Sequence, residues 1–337
     1  MNRRQFLQAS VAASTLPSMT ACGDGVTITI DTRLPVGPFG ADSTAEEVTA
    51  GLDLNGKTVL ITGCNSGVGY ESMRVLALRG AHVIGTGRTL EKAQKACDSV
   101  VGHTTPVVLE LSDFQSAVDC AASVAAMGVS IDSLILNAGI GSFAEFELIN
   151  GIERIFVINY LGHVVLTQKL LPLLRATGGS RIVHVGSQQA YRAAPEVGID
   201  FDNLRGEGEY SGSLAYGRSK LANALYSLKL SEMLDPLQIT SNVVHPGFVK
   251  TNIGRSASGI IKWLYQGAQS MIAKTPEQGA ATQVYVATAP ALAGVTGAYF
   301  EDCNPVTIEG DNHVFDKELA DRLWDETRRI LGDYLES

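Results

Sequence analysis

Lys57-Thr-Val-Leu-Ile-Thr-Gly63 is a short apolar run that stops at a glycine, and Thr62-Gly-Cys-Asn-Ser-Gly-Val-Gly69 carries on from it. Apolar residues then recur at Val68, Val75 and Leu76, the spacing of one helix face. A strand, a glycine-rich turn and a helix in that order restrict the fold strongly, because the chain must reverse tightly and lay the helix on the strand. The arrangement suits a dinucleotide. Glycines let backbone approach a pyrophosphate, and the helix N-terminus offers free N–H groups to an anion. Glycine spacing alone is a weak signal, since a purely structural turn can use the same letters.

The pattern repeats down the chain. Strands are expected at Ala81–Thr86, Val107–Leu111, Ser133–Leu136 and Arg181–Gly186, the last with Ser187 just past its end, with a helix through Phe114, Val118 and Val124 between the second and third. Ile152 to Leu174 predicts a long helix with Asn159 inside it, where Asn has no propensity reason to be. Near-continuous apolar strands alternating with helices predict an α/β fold. It is a single doubly wound Rossmann-type domain over residues 52–337, a parallel sheet with helices on both faces. At the end of the second strand, Gly87 stands where an NAD site usually has a carboxylate for the ribose 2′-hydroxyl, and Arg88 is next. An Arg suits a 2′-phosphate through a bidentate, charge-assisted contact, which favours NADP(H) over NAD(H). A solvent-facing Arg at a loop start is the plainer alternative.

Tyr216-Gly-Arg-Ser-Lys220 places a phenol and an ammonium one turn apart on a single helix face. A phenol that normally titrates near 10 can act as acid and base near neutrality only if something favours its phenolate, as a neighbouring cation does. Such pairs also arise by chance on solvated helices.

Taken together, these pieces resemble the short-chain dehydrogenase/reductase family: the Thr62–Gly69 turn, Asn137-Ala-Gly139, Asn159, Ser187, Tyr216-x-x-x-Lys220, and Pro246-Gly247 with Thr251. The likeness spans about residues 54 to 332. Ile199–Leu204, Tyr216–Ala222, His245-Pro-Gly247, Lys274–Gly279, Tyr299-Phe300 and Leu323-Trp324 are similar to its retinol-dehydrogenase-like branch. The resemblance implies catalytic roles for Asn159, Ser187, Tyr216 and Lys220. Tyr216 would exchange the hydroxyl proton, Lys220 would lower the phenol pKa and hold the nicotinamide ribose, Ser187 would bind the substrate oxygen, and Asn159 would anchor a water. It implies cofactor contacts from Gly63, Asn65, Ser66, Gly67, Val68, Gly69, Arg88, Glu110, Leu111, Asn137, Ala138, Gly139, Tyr216, Lys220, Pro246, Gly247, Val249 and Thr251. Glu110 departs from the Asp more usual there. The closing segment, Asp316 to Leu331, is expected as a helix packing Leu319, Leu323 and Trp324 inward.

The expected activity is hydride transfer between a nicotinamide and an alcohol or carbonyl carbon. A hydrolase built on Ser187 is disfavoured, since Val185-Gly-Ser-Gln-Gln189 lacks the second Gly of a G-x-S-x-G elbow. A nonenzymatic NAD(P)-binding sensor or scaffold is the alternative of another class. Asn252–Lys274 is apolar (Ile260, Ile261, Trp263, Leu264, Tyr265, Met271, Ile272) and reads as a lid over a small apolar alcohol or carbonyl substrate. The same face would also suit a second subunit or a membrane, which leaves a homo-oligomer open.

Composition removes other classes. A net charge of −9 and the lack of a basic aromatic stripe argue against a nucleic-acid partner. The five cysteines form no C-x-x-C and no metal-ligand spacing with histidines, so no metal is expected.

The N-terminus reads as an address. Arg3-Arg4-x-Phe-Leu7 at the head of residues 1–22 resembles a bacterial twin-arginine export signal, which implies a periplasmic or membrane-tethered protein, with a cytoplasmic one as the alternative. Met19-Thr-Ala-Cys22 resembles a lipid-attachment box, with Met19 where Leu is usual. A lipid anchor through Cys22, cleavage near Ala21 and a retained signal all stay open. Residues 23–51, rich in Gly and Pro, are expected as a tether with one short strand at Val26–Ile30.

Overall fold

The computed structural model describes residues 25–207, 210–249 and 273–335. A nine-stranded sheet runs through the molecule in the order β1-β11-β10-β9-β8-β5-β2-β3-β4. The strands are β1 (Thr27–Ile30), β2 (Thr58–Ile61), β3 (His82–Gly87), β4 (His103–Val108), β5 (Ser133–Leu136), β8 (Ser180–Val185), β9 (Ile239–His245), β10 (Tyr299–Glu301) and β11 (Asn304–Glu309). A separate small hairpin pairs β6 (Leu148–Ile149) with β7 (Ile152–Glu153). From β10 to β4 every pairing is parallel, and β11 and β1 close one edge antiparallel. Chain order reverses between β2 and β5. In a doubly wound sheet that switch point opens a crevice above the C-terminal strand ends.

Strand alternation divides the core in two. Val59 and Ile61 of β2 and Ile135 of β5 pack under α1 (Ala45–Val48), α2 (Gly67–Leu78), α3 (Leu90–Asp98) and α8 (Pro276–Thr288). Leu60, Leu134 and Leu136 face the other way. They pack under α4 (Phe114–Ala125), α5 (Arg154–Thr177), α7 (Gly212–Met233) and α9 (Lys317–Leu331). Buried on both faces, the central strands need apolar residues at every position. α5 is long and apolar enough to cross a bilayer, but it is mostly buried within the fold and serves as a core helix.

Three expectations need correction. From Val26 onward, the segment expected as a tether is part of the domain: β1 pairs with β11, and Val26, Ala45 and Val48 are buried. Thr44 and Glu47 form a reciprocal capping box that starts α1. The strand expected at Val107–Leu111 instead runs over His103–Val108, four residues earlier at its start. It is the edge strand, so one face tolerates the polar run His103-Thr-Thr, and Pro106 loses no ladder partner on the open side. The long helix starts at Arg154 rather than Ile152 and ends at Thr177, with a π turn at Val157–Leu161. The last helix, capped by Asp316, does bury Leu319 and Leu323 and stacks Trp324 on Tyr226.

Candidate active site

α2 begins where β2 ends, and its N-cap Ser66 makes no side-chain cap hydrogen bond, so the helix end is open to an anion. Asn65 and Ser66 are exposed there. Gly69 shows why the turn needs glycine: a β-carbon would lie 2.4 Å from both Asn137 Nδ2 and Gly63 O. Asn137 Nδ2 donates to Thr62 O at 2.9 Å, and Ala138 N donates to Thr62 Oγ1 at 2.9 Å. The glycine-rich turn and the Asn137-Ala-Gly139 segment are thus one unit. This tight, uncapped cradle of Gly63, Asn65, Ser66, Gly67, Val68 and Gly69 could hold a dinucleotide pyrophosphate.

Arg88 follows β3 directly, is exposed, and has no hydrogen bond or ion pair among the described residues. Glu110 is turned back on its own loop, accepting from Ser112 N at 3.1 Å and Ser112 Oγ at 2.7 Å. Leu111 beside it is buried. Pro246, Gly247 and Val249 follow β9, and Val249 bridges to Lys274. Thr251 and nearly all of the expected lid, Asn252–Lys274, lie outside the described residues, as do residues 1–22 with Arg3, Arg4 and Cys22.

The catalytic candidates converge over the C-terminal ends of β5 and β8. Lys220 is buried, its Nζ 5.6 Å from the centre of the Tyr216 ring and donating to Val185 O at 2.7 Å. Burial lowers its pKa to about 8. A β-carbon on Gly139 would sit 3.0 Å from Asn159 Oδ1 and 3.8 Å from Lys220 Nζ, so backbone, amide and ammonium meet there. Asn159 lies in the π turn of α5, a feature frequent at functional sites. Its Oδ1 accepts from Ile140 N at 2.8 Å, and its Nδ2 donates to Ile140 O and Ser219 Oγ, both at 3.0 Å. Ser219 Oγ donates in turn to Tyr216 O at 2.8 Å. Ser187 stands just past β8, and its Oγ accepts from Gln189 N at 3.2 Å.

Several supporting residues have no motif to announce them. His163 is fully buried, one turn beyond Asn159, and burial lowers its pKa to about 3, so it is neutral. Its Nδ1 donates to Asn159 O at 3.2 Å, which leaves Nε2 to accept from Thr62 Oγ1 at 3.0 Å. One chain of hydrogen bonds therefore joins the nucleotide turn to the π turn. Arg218, inside the Tyr216–Lys220 motif, is buried and donates to Asn203 O at 2.7 Å, and it lies 3.9 Å from buried Glu153. Glu153 caps the start of α5 through Ile155 N at 2.8 Å, so the pair ties the Tyr216 helix to the Asn159 helix. A polar residue inside an apolar helical run was the available signal for His163. Arg218 carried none.

Comparison with known proteins agrees with this geometry. Residues 57–199 match the short chain dehydrogenase family. The chain is 39% identical to short-chain dehydrogenase TIC 32 B, chloroplastic, of Brassica napus, over 87% of this chain and 94% of that one. It is 35% identical to retinol dehydrogenase 14 of Homo sapiens, over 83% and 87%. Among solved structures, an uncharacterized protein from Mycobacterium Paratuberculosis superposes with a TM-score of 0.66 at 27% identity, covering 84% of this chain and 96% of that one. The Pseudomonas aeruginosa RhlG/NADP active-site complex gives a TM-score of 0.59 at 25% identity, covering 74% and 96%. Likeness that runs nearly end to end in both partners, over a sheet with this switch point, leaves one assignment: the chain belongs to the short chain dehydrogenase family and is an NAD(P)-dependent dehydrogenase/reductase.

Proposed function

We propose that the protein is an NADP(H)-preferring oxidoreductase acting on an alcohol or carbonyl carbon of an apolar small molecule, with Tyr216 as acid and base. The observation that carries this reading is the buried Lys220 ammonium beside the Tyr216 ring, both on α7. The dinucleotide, when bound, supplies or accepts the hydride. The protein's own groups handle the proton. Tyr216 gives its hydroxyl proton to the carbonyl oxygen in reduction and takes it back from the alcohol in oxidation. Lys220 favours the phenolate that oxidation requires. The Ser187 hydroxyl donates to the substrate oxygen as negative charge grows there. Asn159, tied to Ile140 and Ser219, fixes the backbone around both.

Arg88 supports NADP(H), because an exposed guanidinium directly after β3, without a hydrogen bond or ion pair among the described residues, suits a 2′-phosphate. NADP also stands in the name of the RhlG complex, and retinol, an apolar alcohol, in that of the human relative. Exposed Phe146, Leu214 and Phe248 support an apolar substrate: Leu214 precedes Tyr216 by two residues, and Phe248 follows Gly247. The test is a panel of alcohols and aldehydes, each offered with NADP(H) and with NAD(H). Turnover of apolar members, faster with NADP(H), is expected. Turnover with NAD(H) alone would overturn the cofactor half, and activity confined to small polar members the substrate half.

Export is part of the proposal. Arg3-Arg4 within residues 1–22 supports a twin-arginine route, which carries folded proteins and suits an enzyme that loads its nucleotide before leaving the cytoplasm.

A further inference from the structure

Ser187 is held from outside its own strand. β10 lies two strands from β8, with β9 between them, and all three run parallel. Side chains two apart on a strand share a face, so Tyr299 and Glu301 of β10 point to the same side of the sheet. Tyr299 packs there in the core beneath α7. Both reach across β9 to the segment that carries Ser187. Tyr299 OH donates to Ser187 O at 3.0 Å. Glu301 receives Tyr191 OH on Oε1 at 2.6 Å and Gln188 Nε2 on Oε2 at 3.4 Å. Gln188 is the residue after Ser187, and Tyr191 sits on α6 (Gln189–Arg192), the short helix that leaves this turn. The turn is also tied within itself and to β9: Gly186 N donates to Val244 O at 2.8 Å, Gln189 N to Ser187 Oγ at 3.2 Å, Ala190 N to Ser187 O at 2.9 Å and Arg192 N to Gln188 O at 3.0 Å.

A buried acid is costly unless its oxygens are hydrogen-bonded, and Glu301 takes both of these bonds from the segment that follows Ser187. Glu301 is 9% exposed. Burial raises its pKa, while Tyr191 and Gln188 lower it by hydrogen bonding. The charged or titratable groups around it are Tyr191 and Arg192 from α6, Asp302 beside it, Tyr299 on its own strand, and His245 opposite it on β9. Burial lowers the His245 pKa to about 3; the Asp302 carboxylate opposes this, and the Lys274, Arg192 and Lys220 cations add to it. His245 is therefore neutral and no counter-ion for the acid. Arg192 lies 5.8 Å over the Tyr191 ring.

We propose that Glu301 is a positioning residue for Ser187: through Gln188 and Tyr191 it fixes the turn so that the Ser187 hydroxyl faces the reacting oxygen. The inference rests on the functional reading above for what Ser187 does, but not for how the turn is held. Replacing Glu301 with an apolar residue strands two donors, Tyr191 OH and the Gln188 amide, and the turn must shift to satisfy them. A glutamine keeps an acceptor for Tyr191 and roughly the same volume.

The experiment uses the full chain in five forms: wild type, Glu301→Leu, Glu301→Gln, Ser187→Ala, and Glu301→Leu with Ser187→Ala. Backbone hydrogen exchange, which needs no substrate, reads the turn. Glu301→Leu should speed exchange about 10-fold or more over residues 186–193, since the short Tyr191 bond and the longer Gln188 bond are both lost, while Glu301→Gln stays near wild type. Reduction of decanal by NADPH reads the chemistry. Glu301→Leu should lower kcat roughly 10- to 100-fold with KM for NADPH unchanged, and Glu301→Gln should recover most of it. In the Ser187→Ala background the same change should cost nothing further, because the residue it positions is gone. Unchanged exchange over residues 186–193, or a loss that multiplies with that of Ser187→Ala, overturns the proposal. A wild type inert toward decanal and the whole panel defeats the functional reading instead, and the exchange result still decides whether Glu301 holds the turn.

Discussion

Lys220 Nζ lies 5.6 Å from the centre of the Tyr216 ring while donating to Val185 O at 2.7 Å. The ammonium is thus pinned to the end of β8, the strand that also presents Ser187, and it faces the phenol across one helical turn. The hydrogen bond ties α7 to β8, so the spacing between Tyr216, Lys220 and Ser187 depends on how that helix packs on the strand.

That contact predicts a pH dependence. Burial lowers the Lys220 pKa to about 8, below its ordinary 10.5, so the folded protein favours the neutral amine over that interval. Nucleotide phosphates and ribose hydroxyls favour the ammonium. Coenzyme affinity should therefore be highest below pH 8 and should fall as pH rises through it. In Lys220→Met that limb should vanish. Fluorescence titration with NADPH from pH 6 to 10 checks both statements.

Arg88→Ala should weaken NADPH binding and leave NADH nearly untouched. One charge-assisted hydrogen bond is worth about 1.5–3 kcal/mol, roughly a 10- to 150-fold change in Kd. Equal losses for both nucleotides would show that Arg88 does not meet the 2′-phosphate. Calorimetric titration of each nucleotide decides it.

The N-terminal arm should be a stability element. Val26 and Val48 are buried, and burying a valine is worth about 1.5–3 kcal/mol. A chain starting at Gly51 should melt roughly 5–15 °C below the intact protein. The single change Val48→Asp should account for a good part of that fall. A tether would give no change in either, and differential scanning fluorimetry separates the two.

The arm and the site show what the amino-acid sequence did and did not make legible. β2, β5 and α9 were readable because their apolar residues recur with the period of the element that buries them. The Gly and Pro of residues 23–51 looked like a tether. The alternation at Val26–Ile30, expected as a strand, pointed the other way, but the rest of the segment has too little apolar content to give a period. β4 was misframed because an edge strand buries less and can begin on His103-Thr-Thr. The Tyr216–Lys220 pair was legible through spacing along one helix. Glu301, Tyr299 and His163 were not, because their partners lie more than a hundred residues away or in the next turn of a helix whose π geometry leaves no mark in the sequence.

Export is tested by fractionating cells that express the intact chain beside an Arg3→Lys, Arg4→Lys double variant. The intact chain should leave the cytoplasm, and the variant should stay. Intact chain confined to the cytoplasm at full length contradicts the proposal. A soluble, unlipidated periplasmic form removes only an anchor at Cys22.

If Tyr216 carries the proton at the reacting oxygen, a single turnover of Tyr216→Phe must be slow. The substitution removes one hydroxyl and should leave the fold as it was, and saturating coenzyme keeps any change in its affinity out of the rate. With saturating NADPH and a carbonyl substrate identified from the panel, stopped-flow loss of NADPH absorbance should slow about 10²- to 10⁴-fold, the range of positioned acid–base catalysis. Oxidation of NADPH by Tyr216→Phe at the wild-type single-turnover rate would contradict the account.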